Sequence, residues 1–522
     1  MPSAQVKPSQ WVPSLKKLLG SGTVDDSAIN QILYSRDMMT RGTLQLRQGQ
    51  IPYKPNAVVW PSSTQDVSRL LRWASREKVP VIPYGAGSGV SGGVVPLHGG
   101  ISCDLKRMDK IVLIDEKNRT ATVESGIIGE HLEEQLSRHG WTLGHFPSSI
   151  MTATLGGYLA TRSAGQLSSK YGKIEDMVEA LEVVLPNGRV VPMGKPLPNF
   201  PGMDTRGLFV GSEGTLGIIT KARLKIFPQP QTSVFKGISF NHLGEALSSI
   251  RRIMQSGLRP SVIRLYDPLD SLLLQWGYSK TDSSIFGDLL NTALSPLRLF
   301  SFLYSPVFEK ISSESMHQIL QRPYLLDPVI RRLPIESLLI LGFEGDKEVI
   351  QEEIRLAYDF CKKVICRDLG EKPGLHWLKH RYSVSFKMPQ FLEDGNFLDT
   401  IEVASTWDKL MDLYNNVREA VAREALVLAH FSHAYHEGCS IYFTFIGREP
   451  GKEEELKRYD RIWEKALGAS LKSGGTISHH HGIGYLKADF MRNELGDLMH
   501  LFREFKKKLD PHNIMNPGKM GL

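Results

Sequence analysis

Cysteine is scarce in this 522-residue chain, which has only Cys103, Cys361, Cys366 and Cys439. So few thiols make no disulfide framework, which suits a reducing compartment, and the Cys361–Cys366 spacing matches no metal or redox pair. No uninterrupted apolar run approaches the ~18 residues that a membrane span requires. The N-terminal MPSAQVKPSQWVPSLKKLLG lacks an apolar core followed by a cleavage site, so no signal peptide is expected. The ending Met520-Gly521-Leu522 is not a Ser-Lys-Leu address. A cytoplasmic location follows as the expectation. Neither sign of charge dominates. The formal charge is +7 and the pI about 9.0, with basic residues scattered and no nucleic-acid motif, so nucleic acid is not an expected partner. The mild positive balance suits a phosphorylated substrate or a peripheral position on an anionic membrane surface.

A hydrophobic content of 41% and a charged content of 23% describe a globular protein long enough for two or three domains. Most conspicuous is Gly144 to Gly172, GHFPSSIMTATLGGYLATRSAGQLSSKYG, too rich in small residues to read as a good helix or an ordinary core strand. Gly156 and Gly157 allow close backbone approach, and Ser148, Ser149, Thr152, Thr154, Thr161 and Ser163 offer hydroxyls around it. A bound cofactor explains such a stretch better than stability does. A mobile surface loop is the alternative, opposed by the interleaved Leu155, Tyr158 and Leu159.

Residues 1–50 read as a helical lead-in with apolar Trp11, Leu15, Leu18 and Leu19. An α/β pattern follows: VVWPSS as a strand, Thr64 to Lys78 as an amphipathic helix with Val67, Leu70, Leu71 and Ala74 on one face, then VPVIPYG as a strand. The next residues, PYGAGSGVSGG from Pro83 to Gly93, are a candidate phosphate loop whose successive amides form an anion-holding concavity. The G-x-G-x-x-G spacing and following helix of a dinucleotide fold are absent. Pro-Asn-Gly marks a hairpin between Met177–Leu185 and Arg189–Val191. GSEGTLGIIT, Gly211 to Thr220, is a third small-residue loop running into a strand. From Thr232 an α+β second domain begins. Within it Ser271 to Ile311 is apolar with few charges, read either as a packed helical insertion or as an amphipathic segment touching lipid.

The sharpest local signal is ISHHHGIGY. In an extended segment His479 and His481 point one way and His480 the other, and imidazoles suit proton transfer near neutral pH. HFSHAYH adds His430, His433 and His436. A metal shared by the two clusters is conceivable, but no carboxylate or thiolate sits nearby at ligand spacing, and no metal is expected. Tyr442 in CSIYFTF alternates with Ile441 and Phe443, as an ordinary strand residue or as a proton carrier. Arg264 in SVIRLYD lies opposite Ile263 and Leu265, as a structural ion pair or as a grip on an anionic group.

Taken in order, these pieces resemble the FAD-binding flavoenzymes of the vanillyl-alcohol oxidase and p-cresol methylhydroxylase superfamily, and within it the alkyldihydroxyacetonephosphate synthases of ether-lipid synthesis. The likeness runs from about residue 35 to the end. It rests on GHFPSSIMTATLGGYLATRSAG, KYGKIEDMV, EGTLGIIT, SVIRLYD, GCSIYFTF and SHHHGIGY. The resemblance implies an α+β architecture with a two-subdomain FAD-binding domain of the p-cresol methylhydroxylase type, an α+β cap (substrate) domain and a helical C-terminal segment. The implied boundaries are 1–50 for the lead-in, 51–229 for the FAD domain, 230–445 for the cap with its insertion 271–311, and 446–522 for a C-terminal segment returning to the flavin.

The resemblance also implies cofactor contacts at Pro83, Tyr84, Gly85, Ala86, Gly87, Ser88 and Gly89, with the flavin pyrophosphate on that loop. Further contacts fall at Pro147, Ser148, Ser149, Ile150, Met151, Thr152 and Ala153, and at Ala160, Thr161, Arg162 and Ser163. A last group is Glu213, Gly214, Thr215, Leu216, Gly217, Ile218 and Ile219. No histidine or cysteine lies in the Pro83–Gly93 loop, so the FAD is expected to be non-covalent. By the same likeness an acyl-dihydroxyacetone phosphate would form a flavin N5 adduct, lose a fatty acid and take up a fatty alcohol. Tyr442 would be the acid/base, with Arg264, His479, His480 and His481 completing the catalytic site. The family's substrate arginine has no clear counterpart: SFKMPQF stands there, leaving Lys387 as the substrate-binding cation beside Arg264. The expected partners are a lipid substrate and a second copy in a homodimer. The rival activity is an FAD-linked 2-hydroxy-acid dehydrogenase, to which the ending DPHNIMNPGK is similar; His479-His480-His481-Gly482 stands where those enzymes carry Gly-Glu-His-Gly. A flavin-containing docking protein without turnover is a further alternative.

Overall fold

The computed structural model describes residues 8–194, 204–271, 321–325, 335–382 and 396–522. Residues 272–311 of the apolar insertion, and Lys387, lie outside them. The chain forms two compact units, one made of residues up to Gln231 with Thr476–Leu522, the other of Thr232–Gly475.

The first unit holds two sheets. Val24–Asp25 (β1), Ala57–Val59 (β2), Val81–Tyr84 (β3) and Ile101–Asp104 (β4) pair in the order β1-β2-β4-β3, with β2 and β3 parallel to β4. The connecting helix Thr64–Glu77 starts where the Ser63 side chain accepts the Asp66 N–H at 3.2 Å, and it buries Val67, Leu70, Leu71 and Ala74 as their spacing predicts. The N-terminal helix Pro8–Leu19 is not a separate lead-in. Trp11, Val12 and Leu15 join the same core, with the Trp11 and Trp73 rings 5.7 Å apart.

Ile111–Asp115 (β5), Thr120–Glu124 (β6), Val178–Val184 (β8), Val190–Met193 (β9) and Ile218–Lys225 (β10) form an antiparallel sheet, order β5-β6-β10-β8-β9; Trp141–Thr142 (β7) pairs separately with Phe227–Pro228 (β11). Contrary to the expectation from its composition, the small-residue stretch contains a helix, Leu155–Thr161. Thr154 caps it by accepting the Gly157 N–H at 3.2 Å, and Leu155, Tyr158 and Leu159 are buried against Val123, Leu132 and Leu136. Burial on one face outweighs the poor helix propensity of Gly156 and Gly157. A Cβ on Gly156 would lie 3.0 Å from the Ser125 carbonyl oxygen, so this glycine serves helix packing.

The tail Asp510–Lys519 is part of this unit. Asp510 accepts hydrogen bonds from the Ile514 N–H, the Met515 N–H and Lys506 Nζ at 3.0, 2.8 and 2.5 Å. The turn so formed lays Ile514–Asn516 beside β3, where Val81 donates to the Ile514 carbonyl and Asn516 donates to the Val81 carbonyl.

The second unit is built on a seven-stranded antiparallel sheet. Thr232–Phe240 (β12), Val262–Tyr266 (β13), Ser337–Gly345 (β14), Cys366–Gly370 (β15), Asn396–Thr406 (β16), Leu426–Ala434 (β17) and Gly438–Arg448 (β18) run in the order β15-β12-β14-β13-β17-β18-β16. Ile441, Phe443 and Phe445 point to one face, and Tyr414 of the helix Leu410–Val421 packs its ring on Phe431 and Phe443. The boundary expected at 445/446 falls instead at 475/476. The helix Lys452–Lys472 belongs to this unit because Tyr459 and Trp463 bury their rings against Phe445, and Tyr459 Oη donates to Asp399 at 2.5 Å. Among the described residues no helix is long and apolar enough to cross a membrane.

Candidate functional site

In the first unit, β3 ends at Tyr84 and the chain turns through Gly85–Ser91. Pro83 closes the strand and Gly85, Ala86, Gly87, Ser88 and Gly89 form the turn. Space there is too tight for side chains: a Cβ on Gly85 would lie 2.4 Å from Thr154 Oγ1, and one on Gly87 (φ +65°) 2.2 Å from Tyr84 Oη. Lys106 Nζ holds the Gly85 carbonyl at 2.9 Å and pairs with Asp104 at 2.6 Å. The buried Asp37 accepts the Gly92 N–H at 2.8 Å and the Met39 N–H at 3.1 Å; burial pushes its carboxyl up to about 7, against these hydrogen bonds and the charge of Lys519. Carbonyls and side chains of the loop's surroundings are thus engaged by the protein, while no hydrogen bond within the described residues uses the amides from Gly85 to Gly89. A row of such donors in a turn whose side chains are no larger than those of Ala86 and Ser88 fits a pyrophosphate.

The second and third small-residue segments lie in the same unit. Pro147, Ser148, Ser149, Ile150, Met151, Thr152 and Ala153 make the turns before the Leu155–Thr161 helix, whose end carries Ala160, Thr161, Arg162 and Ser163. Buried His145 bridges the two, with Nε2 3.1 Å from Ser163 Oγ and its ring edge-on to Tyr158. Burial, reinforced by the nearby His480, lowers its pKa to about 3, so the ring is neutral at physiological pH. Glu213 has a left-handed backbone (φ +50°) and leads through Gly214, Thr215, Leu216 and Gly217 into Ile218 and Ile219 of β10. Its buried carboxylate accepts the N–H groups of Ile483 and Gly484, and Asn516 Nδ2 donates to its carbonyl. Ser91 Oγ in turn donates to the carbonyl of His481 at 3.1 Å.

Those bonds place the histidine run against the first and third small-residue loops of the same unit. Its conformation differs from the expected extended one: the backbone bends, and His479 Nδ1 lies 3.1 Å from His480 Nδ1. Gly482 (φ +75°) and Gly484 (φ +56°), pinned by Glu213, bend the chain so that neighbouring rings meet instead of alternating.

In the second unit, register decides which side chains share a face. Tyr266 of β13 stands opposite His430 of β17, His430 opposite Tyr442 of β18, and Tyr442 opposite Glu402 of β16; Arg264 stands opposite Ser432. Arg264 and Tyr442 therefore share the face turned away from Ile263, Leu265, Ile441 and Phe443, as alternation predicts. His430 links them: Arg264 Nη2 lies 3.0 Å from its Nε2, and its ring stacks on Tyr442 at 4.8 Å and 15°. Its Nδ1 is 3.4 Å from Asp270, whose carboxyl is pushed up to about 7 by burial despite the Arg264 charge. Burial raises Tyr442 to about 12, with Glu402 and Asp399 adding to the rise and Thr400 and Arg264 opposing it. The phenol is thus a proton donor near neutral pH. On this face Arg264 Nε and Ser432 Oγ are buried with no hydrogen-bond partner among the described residues. His430 stood out in the sequence only as one of a cluster; Ser432 carried no signal, since cross-strand register is not visible locally, and neither did Asp270, which lies in the helical turn after β13. His433, with φ +53°, sits at a break in the β17/β18 register, and His436 is exposed.

A glycine turn whose amides take part in no hydrogen bond among the described residues, in a unit of parallel and antiparallel sheets, and a second unit built on a seven-stranded antiparallel sheet match the p-cresol methylhydroxylase type of FAD-binding flavoprotein. Residues 55–194 match the FAD binding domain family, and residues 229–520 match the C-terminal domain of FAD linked oxidases. The chain belongs to the FAD-linked oxidase family and is an FAD-dependent enzyme. It is 30% identical to an alkyldihydroxyacetonephosphate synthase of Dictyostelium discoideum, over 98% of this chain and 80% of that one. To the glycolate oxidase subunit GlcD of Bacillus subtilis it is 27% identical, over 97% of this chain and 95% of the relative. A solved alkyldihydroxyacetonephosphate synthase structure superposes with a TM-score of 0.73 at 28% identity, covering 99% of this chain and 86% of that one.

Proposed function

We propose that this enzyme is an alkyldihydroxyacetonephosphate synthase-like transferase, exchanging the acyl group of acyl-dihydroxyacetone phosphate for a fatty alcohol and releasing a fatty acid. The observation that carries the reading is the Arg264–His430–Tyr442 row, which sets a fixed cation and a protonated phenol on one sheet face. Arg264 holds an anionic part of the substrate, and Tyr442 Oη gives and regains the proton that accompanies departure of the carboxylate and entry of the alcohol. Histidines 479 to 481 are a second set of proton-carrying groups. Bound FAD supplies redox-neutral chemistry at the carbon that changes its substituent. The Gly85–Gly89 amides hold its pyrophosphate, with no side chain in that turn able to bond it covalently, so the FAD is dissociable. Lys387 supplies a further cation toward the phosphate, and a lipid-chain substrate places the work beside a membrane surface.

The test is anaerobic. Palmitoyl-dihydroxyacetone phosphate added without an electron acceptor should bleach the visible flavin band and release palmitate, and a fatty alcohol should restore the colour. A second reading, oxidation of a 2-hydroxy acid, is favoured by the similarity to a glycolate oxidase subunit. Persistent colour with the lipid, together with reduction by glycolate or D-lactate, would replace the first reading by the second.

A further inference from the structure

We propose that His430 is a positioning residue: it fixes the Arg264 guanidinium so that Nε stays available for an anionic substrate group. The proposal rests on the reading of Arg264 as a substrate-holding cation. It follows from an elementary constraint on protons. An arginine nitrogen only donates, so His430 Nε2, 3.0 Å from Arg264 Nη2, has to accept. The ring proton is then on Nδ1, the nitrogen turned toward Asp270 Oδ2 at 3.4 Å. Asp270 thus favours the tautomer that Arg264 requires, and a cationic His430 would repel the guanidinium.

The ring is held against rotation as well. Tyr442 stacks on it from β18, and the Tyr266 ring of β13 lies at a centroid distance of 5.9 Å on the other neighbouring strand. Arg264 itself lies over Tyr266, 5.2 Å from the ring centre. One terminal nitrogen of the guanidinium is therefore occupied by His430, while Nε is buried and without a hydrogen-bond partner among the described residues. Ser432 Oγ, directly across from Arg264 in register, is in the same condition. A structural ion pair would satisfy the fork by a carboxylate. Here one end meets a neutral acceptor, and among the described residues no carboxylate stands at ion-pair distance from the fork, Asp270 acting on its charge only from farther away.

Two substitutions separate the roles of the ring. His430→Phe keeps an aromatic surface for Tyr442 and removes the acceptor; His430→Gln keeps an acceptor and removes the stack. We expect His430→Phe to raise KM for acyl-dihydroxyacetone phosphate tenfold or more with a smaller change in kcat, and His430→Gln to recover most of that loss. A His430→Phe enzyme with unchanged KM, in a protein whose KM does respond to Arg264→Met, would overturn the proposal. A readout independent of turnover uses histidine-selective nitrogen-15 labelling of the holoenzyme. His430 should show the neutral ring protonated at Nδ1 at pH 7, and the Nε2 resonance should move in Arg264→Met. A ring protonated at Nε2, or a resonance indifferent to Arg264→Met, would overturn it. If the wild-type enzyme exchanges no acyl group, or if Arg264→Met leaves KM unchanged, the functional reading falls, and the nitrogen-15 result alone decides whether His430 orients Arg264.

Discussion

Tyr442 and His430 stack ring on ring, 4.8 Å between centroids and 15° from parallel, on adjacent strands where the register sets them directly opposite. The contact fixes the phenol from its face and leaves the hydroxyl at the edge, so the ring and the proton can be separated experimentally. Tyr442→Phe keeps the stack and removes only the oxygen. Expected is a 10²- to 10⁴-fold fall in the rate of fatty-acid release, the usual range for an acid/base group. Stability should change by no more than about 1 kcal/mol, the worth of one hydrogen bond. Stopped-flow measurement of palmitate release with a parallel thermal melt checks both. An unaltered release rate would remove Tyr442 from the chemistry.

Ser432 carries a hydroxyl that is buried and unpartnered among the described residues, although its carbonyl accepts from Ser440 Oγ at 2.9 Å. A hydroxyl buried without a partner is destabilising by roughly 1–3 kcal/mol. Ser432→Ala should therefore leave the melting temperature equal or higher while raising KM for the phosphorylated substrate several-fold. A lower melting temperature with unchanged KM would mean that the hydroxyl has a structural partner and no ligand role.

Much of this was legible in the sequence, for reasons that differ by region. Alternation alone placed Arg264 opposite Ile263 and Leu265, and Tyr442 opposite Ile441 and Phe443, because one buried sheet face forces period two. What alternation does not contain is register between distant strands, and so His430 and Ser432 could not be joined to Arg264; nor does it reach Asp270, in the helical turn that follows β13. The Gly144–Gly172 stretch misled for another reason. Composition measures propensity, whereas the burial of Leu155, Tyr158 and Leu159 decided for a helix. Likewise DPHNIMNPGK, which resembles the ending of a dehydrogenase, is explained by structure: Asp510 ties the turn that docks Ile514–Asn516 on β3. Such a motif reports the fold and does not separate the two activities.

Gly87 offers a direct test of the cofactor loop. Its φ of +65° is unfavourable for an L-residue by roughly 1 kcal/mol, and the Cβ of Gly87→Ala would meet Tyr84 Oη at 2.2 Å. Relieving that overlap has to move the turn or the tyrosine, which typically costs about 1–3 kcal/mol. On the proposed reading, in which this turn cradles the pyrophosphate, purified Gly87→Ala should retain little yellow colour and bind added FAD about ten to a hundred times more weakly. Absorbance ratios after desalting and a flavin-fluorescence titration read this out. Full flavin content would move the pyrophosphate elsewhere.

His145 makes the acid limb of stability predictable. Its folded pKa, about 3, lies below the unfolded value of 6.5, because burial and the neighbouring His480 oppose the charge. The unfolded chain thus binds the proton more readily, and stability rises with pH inside this window. The contribution is complete above about 6.5, shrinks as the pH falls and is exhausted near 3. Between pH 7 and pH 4.5 the linkage amounts to about 2–3 kcal/mol from this one ring. His145→Phe fills the same space beside Tyr158 and does not titrate, at the loss of the Ser163 contact, about 1 kcal/mol at pH 7. Urea unfolding of the first unit should consequently show a smaller drop from pH 7 to pH 4.5 in the variant than in the wild type. Parallel pH curves would mean that His145 takes up its proton at the same pH in the folded unit as in the unfolded chain.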